Sequence, residues 1–132
     1  MVPGAFVRVC FPTHEKPRKP GLLHIGYILA NSPLEAMVAY TTSQPWPTGT
    51  PLSAGVRLFT AEEAKRLNQS RPFVLRLDVL AKLPMNPQWF PEIEKEGEGV
   101  IAVVPSRLQE ELTDLATNLV RRRRDLIQMR GI

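Results

Sequence analysis

The chain has 132 residues, 43% of them hydrophobic and 23% charged, with a formal net charge of +4. That length suits one buried core and is short for two, so residues 1–132 are expected to form a single domain. The longest apolar run, residues 21–30, falls well short of the roughly 20 residues of a membrane-spanning helix, and no basic stretch leads into an apolar one near the start; the expectation is a soluble, cytoplasmic, untargeted protein. Cys10 is the only cysteine, which excludes an internal disulfide, and no Cys/His pair stands at metal-ligand spacing, so a structural zinc is not expected.

Residues 5–11 alternate, with Val7, Val9 and Phe11 on one face and Phe6, Arg8 and Cys10 on the other, the period of a half-buried strand. Pro12, Pro17 and Pro20 then interrupt any ladder, leaving residues 13–19 as a charged loop. Extended patterns resume over residues 22–30 and 35–42, joined by a turn at Asn31, Ser32 and Pro33. Pro45, Pro47, Gly49 and Pro51 make residues 44–52 a loop, after which residues 53–59 return as a strand.

Thr60 and Glu63 have capping-box spacing, predicting a short helix to about Leu67. Residues 72–80 read as a strand with Phe73, Leu75, Leu77 and Val79 on one side and Val74, Arg76 and Asp78 on the other. A proline-rich acidic stretch carries Trp89 and Phe90, which serve either as cover for the core or as an exposed docking surface. A short strand over residues 99–104 follows. Ser106 and Gln109 have the spacing of a second capping box, and Leu108, Leu112, Leu115 and Leu119 form the stripe of an amphipathic C-terminal helix. With no βαβ alternation, the expected fold is mainly β with helices: a small antiparallel barrel with a short internal helix and a C-terminal amphipathic helix.

Basic residues dominate residues 1–30, where Arg8, Lys16, Arg18 and Lys19 oppose Glu15, and acidic ones residues 88–100, where Glu92, Glu94, Glu96 and Glu98 oppose Lys95. A positive balance favours polyanionic partners such as nucleic acid. Arg76 and Asp78 share a face of an otherwise apolar strand. They are either a structural ion pair or an acid and a base for chemistry at phosphate, the arginine stabilising charge and the carboxylate accepting a ribose hydroxyl proton. His14, in the basic loop, is a bystander or a donor to the same phosphate. Thr42 and Ser43 end a strand, as turn makers or as hydrogen-bonding groups for a phosphate or a base edge. No phosphate-binding glycine loop, nucleophile elbow or zinc-protease motif is present. The run from Arg121 to Arg124 complements a helix C-terminus or adds a weak nucleic-acid contact.

Taken in order, these segments resemble the PemK/MazF-like (Kid-like) toxins of type II toxin–antitoxin systems. Gly4-Ala5-Phe6-Val7-Arg8-Val9 is similar to their opening strand, and Pro12-Thr13-His14-Glu15 with Arg18-Lys19-Pro20 to their first long loop. Tyr40-Thr41-Thr42-Ser43 resembles their strand ending in Thr-Ser, and Phe73-Val74-Leu75-Arg76-Leu77-Asp78 the strand bearing an Arg-x-Asp pair. The resemblance implies an SH3-like barrel and metal-independent, sequence-selective cleavage of single-stranded RNA with no cofactor. Asp78 is then the base on the 2′-hydroxyl, Arg76 the acid for the leaving 5′-oxygen and His14 a stabiliser of the phosphate. Thr42, Ser43, Arg18 and Lys19 contact RNA. It also implies a homodimer and a cognate antitoxin that occupies the site. Ala5 replaces an acidic residue of that pattern and Lys19 an arginine, with loss of a planar fork on phosphate. From another class, the competing expectation is a catalytically inert barrel that binds nucleic acid or a protein partner as a regulator.

Overall fold

A computed structural model describes residues 1–122 and 127–131. Its elements are β1 (Ala5–Cys10), β2 (Leu23–Asn31), β3 (Glu35–Thr42), β4 (Val56–Phe59), α1 (Ala61–Arg66), β5 (Phe73–Pro84), β6 (Val100–Val103), α2 (Ser106–Arg122) and β7 (Ile127–Arg130). The strands form one sheet in the order β4-β5-β3-β2-β1-β6, with β7 joined to β5. Every pairing along that path is antiparallel, and only β7 runs parallel to its neighbour. The sheet curls into a half-barrel, so the mainly β architecture with two helices is as expected.

Both faces of the curled sheet are covered. On one, Phe6, Tyr27, Phe59, Phe73, Leu75 and Leu77 pack with Leu112 and Leu119 of α2. Phe59 and Phe73 stack at 4.5 Å between ring centroids, and the edge of Phe6 meets Phe73 at 5.4 Å. On the other face, Val7, Val9, Ile28, Val38 and Leu83 pack against Trp89, Phe90 and Met129. Trp89 and Phe90 are 3% and 0% exposed, so they cover the core and offer no docking surface. The segment carrying them is tied to β1 by Cys10 N–H donating to the Trp89 carbonyl at 2.8 Å and Arg8 N–H donating to Gly99 at 3.1 Å.

The predicted capping box of α1 is formed in both directions, Glu63 N–H to Thr60 Oγ1 at 3.2 Å and Thr60 N–H to Glu63 Oε1 at 3.0 Å. The one predicted for α2 is not among the observed contacts. Ser106 is already helical, the Pro105 carbonyl accepts from Gln109 N–H at 3.0 Å, and the Gln109 side chain lies against Gly4. The buried stripe of α2 is Leu112, Ala116 and Leu119, while Leu115 is 41% exposed. Of the arginine run, Arg121 and Arg122 are the last basic residues of α2, and Arg123 and Arg124 lie outside the described residues. Among the described residues, no helix is long and apolar enough to cross a membrane.

Candidate functional site

The pairing of β5 with β3 is interrupted where the charged pair sits. Tyr40 faces Arg76 and Ala39 faces Leu80, so Leu77, Asp78 and Val79 bulge out with no partner on β3. Leu77 N–H instead donates to the Gly55 carbonyl at 2.9 Å. Gly55 has φ +83°, and a Cβ there would fall 2.1 Å from Leu119 Cδ1, so glycine alone fits beneath α2. The bulge also reverses the alternation expected for this strand: Val79 packs with the second core cluster while Leu77 and Leu80 belong to the first.

Arg76 and Asp78 meet fork to fork. Arg76 Nε donates to Oδ1 at 2.8 Å and Nη2 to Oδ2 at 2.7 Å. Asp78 is buried at 6% exposure, whereas the Arg76 side chain keeps 29%. The guanidinium also lies over the Trp46 ring, 5.5 Å from its centroid. Hydrogen bonding to Asp78 raises the Arg76 pKa further, outweighing the opposing effect of burial, so the group stays cationic in the resting state.

His14 and Arg76 line one cleft of about 360 Å³, together with Thr13, His24 and Tyr40. Asp78 is not on its wall and reaches it only through Arg76. Ile127 and Met129 of β7 contribute an apolar flank, a strand that no sequence pattern pointed to. Thr42 and Ser43 line a second cleft of about 510 Å³ with Arg8, His24, Tyr40 and Arg71. Thr42 Oγ1 already accepts from Gln44 N–H at 3.2 Å, a turn-making bond. A third cleft, about 450 Å³ and more apolar, lies between Trp46, Leu58, Phe59 and Pro72.

The three clefts share walls: His24 and Tyr40 border the first two, and Ser43, Gln44, Arg71 and Phe73 the last two. None is lined by Asp or Glu among the described residues. Arg8 is partly neutralised by Glu92 at 3.5 Å, but Arg71 has no acidic partner among the described residues. The result is a groove with cations at intervals and aromatic surfaces between them, a combination suited to a single-stranded polyanion. Arg18 and Lys19 are exposed in a turn closed by Lys19 N–H to the Lys16 carbonyl at 3.2 Å, and they line none of these clefts.

Sequence reasoning passed over His24, Tyr40, Trp46, Gln69 and Arg71. Period two on residues 35–42 places Tyr40 and Thr42 on one face, a signal that was available; the others depend on how loops fold back. Ala5, where the toxin pattern has an acid, is fully buried at 0% exposure, which leaves no room for a solvated carboxylate. No family model matches the sequence, and the curated proteins include no significantly similar relative.

Proposed function

We propose that this chain is a metal-independent, sequence-selective endoribonuclease of the PemK/MazF-like toxin kind, built on an SH3-like barrel. The observation that carries the reading is the Arg76–Asp78 clasp at the β5 bulge, with Arg76 on the wall of a cleft it shares with His14. Thr42, Ser43 and the exposed charges of Arg18 and Lys19 supply further RNA contacts. On this reading two copies pair as a homodimer, a cognate antitoxin covers the groove, and the site of action is the cytoplasm.

The chemistry needs no outside nucleophile. The ribose 2′-oxygen attacks the adjoining phosphorus while Asp78 takes its proton, the P–O5′ bond breaks, and the leaving oxygen takes a proton from Arg76. An alkoxide is a stronger base than a neutral guanidine, so that last transfer is downhill even with the Arg76 pKa raised. His14 and Arg76 share the charge that builds on the phosphate. For Asp78 to accept the proton, phosphate must compete with it for the Arg76 fork and loosen the clasp.

The clasp favours a second reading as well. Both Asp78 oxygens are occupied and the residue is buried. If phosphate cannot open the pair, the groove binds RNA without cutting it and the protein is an inert regulatory barrel. Incubation with mixed-sequence RNA in excess chelator separates the two. The expected products carry 2′,3′-cyclic phosphate and 5′-hydroxyl ends, and Asp78→Asn and Arg76→Ala each slow the reaction by at least about 100-fold. RNA that is bound but stays intact would overturn the nuclease reading.

A further inference from the structure

We propose that the turn leaving α1, residues 68–71, is a specificity element: Gln69 reads the edge of one unpaired RNA base and Arg71 holds the neighbouring phosphate. The inference rests on the proposed RNA groove but not on cleavage within it.

The turn is held rigidly. Asn68 has φ +57°, a left-handed conformation that asparagine tolerates, and its Nδ2 donates to the Ile101 carbonyl at 3.0 Å. Gln69 N–H donates back to the Ala64 carbonyl at 2.9 Å. With the backbone fixed at both points, the side chains that follow border the cleft also lined by Thr42 and Ser43.

Gln69 Nε2 is buried without a hydrogen-bond partner, the only buried side-chain N or O in that condition among the described residues. A buried donor left unpaired is costly, so a ligand that brings it an acceptor gains more than the same ligand at an exposed donor. Every base edge carries an acceptor, a ring nitrogen in adenine and a carbonyl oxygen as well in uracil, cytosine and guanine, so preference falls on the base whose acceptor meets the fixed Nε2 position.

Arg71 borders both this polar cleft and the apolar one, and has no acidic partner among the described residues. A cation on the wall shared by two adjoining recesses suits a nucleic-acid strand, in which phosphate separates successive bases. The apolar recess between Trp46 and Pro72 then takes the next base by stacking, which is tolerant of sequence. Selectivity therefore falls on Gln69 and general affinity on Arg71.

The test uses the full chain and a randomised RNA pool with 2′-fluoro sugars, which lack the attacking hydroxyl. Bound molecules are sequenced, and affinity is measured against salt. Wild type should enrich one base over the other three at one position by about tenfold. Gln69→Glu, which keeps the shape but removes the donor, and Gln69→Leu should reduce this enrichment to below about twofold. Arg71→Ala should weaken every sequence alike and lower the salt slope by roughly 0.7, one phosphate contact on a single strand. An unchanged preference in both Gln69 variants, or a loss at Arg71 confined to some sequences, would overturn the proposal. Preference lost as expected while unmodified RNA stays uncut sinks the nuclease reading alone; cleavage with an unaltered preference sinks the specificity element alone. Failure of wild type to bind the pool sinks both.

Discussion

Arg76 is held by two different forces, and they can be separated by experiment. Its fork makes two hydrogen bonds to Asp78, its plane rests on Trp46, and part of its surface stays in the cleft. A lysine keeps the charge but neither the fork nor the planar stacking surface. Removing one member of a fully buried ion pair costs about 3–5 kcal/mol. Arg76 retains 29% side-chain exposure, which lets solvent reach the orphaned carboxylate, so Arg76→Met should destabilise by about 2 kcal/mol in urea unfolding. Combining it with Asp78→Asn should recover about half of that loss, since an amide is cheaper to leave unpaired than a charge. Strict additivity of the two substitutions would mean that the clasp contributes nothing to folding and exists for function alone.

That Arg76 and Asp78 share a strand face was legible from period two. A structural ion pair between them was one of the two readings, but the bulge that lets them meet fork to fork was not legible, because i and i+2 side chains on a regular strand stand apart unless the backbone between them is reshaped. The reshaping comes from distant residues, Gly55 and Leu119, whose proximity to β5 no local pattern encodes. His14 was singled out from its charged company, whereas Gln69 lies in a turn whose single charge, Arg71, carries no chemical signal by itself.

Among the elements, those specified by their own residues were readable and those completed by distant partners were not. The α1 capping box is local: Thr60 and Glu63 satisfy each other within one turn, and the Thr60 backbone bond, with help from Arg57, lowers the Glu63 pKa. The equivalent spacing at Ser106 and Gln109 failed because Pro105 already sits at the helix entrance and the Gln109 side chain packs on Gly4 instead. β7 has neither alternation nor turn signals of length, and is a strand because the edge of β5 offers it a ladder over Val79 to Lys82.

The junction of loop, bulge and helix around Gly55 is the element-level dependence that matters most. Gly55 presents its carbonyl to Leu77, and its φ of +83° together with the 2.1 Å approach to Leu119 exclude any side chain. An alanine adds about 1–2 kcal/mol of backbone strain to the overlap. Gly55→Ala should therefore lower stability by about 3 kcal/mol, with Leu119→Ala in the same chain relieving the overlap but not the strain. The combined variant should be less unstable than the sum of the two single changes. A sum that holds would mean α2 shifts freely and does not pin the bulge.

At the scale of the whole molecule, the sheet is wrapped on both faces, one by α2 and the other by the irregular segment carrying Trp89 and Phe90. A one-sided amphipathic reading of β1 anticipated the layer of Val7, Val9 and Phe11 but not the complete burial of Phe6 beneath the other. Curling lets a few residues from each strand meet in a small core, and that closure is a property of the sheet and not of any strand. Tyr27 reports on it. Its ring packs 5.1 Å from Phe6, it is 1% exposed, and burial pushes its phenol up to about 12 from 10.0.

The sign of the linkage follows from proton binding. Between pH 10 and about 12 the unfolded chain has released the Tyr27 proton while the folded chain retains it, so the folded state binds more protons and loses stability as pH rises. Below pH 10 the contribution is complete and flat. Stability at high pH has other contributions common to both proteins, so the informative quantity is the difference between wild type and Tyr27→Phe. Urea unfolding from pH 8 to 11.5 should show wild type losing stability relative to the variant only above about pH 10. Parallel curves would mean that the phenol reaches solvent in the folded state, and with it that the core beneath α2 opens more readily than its packing implies.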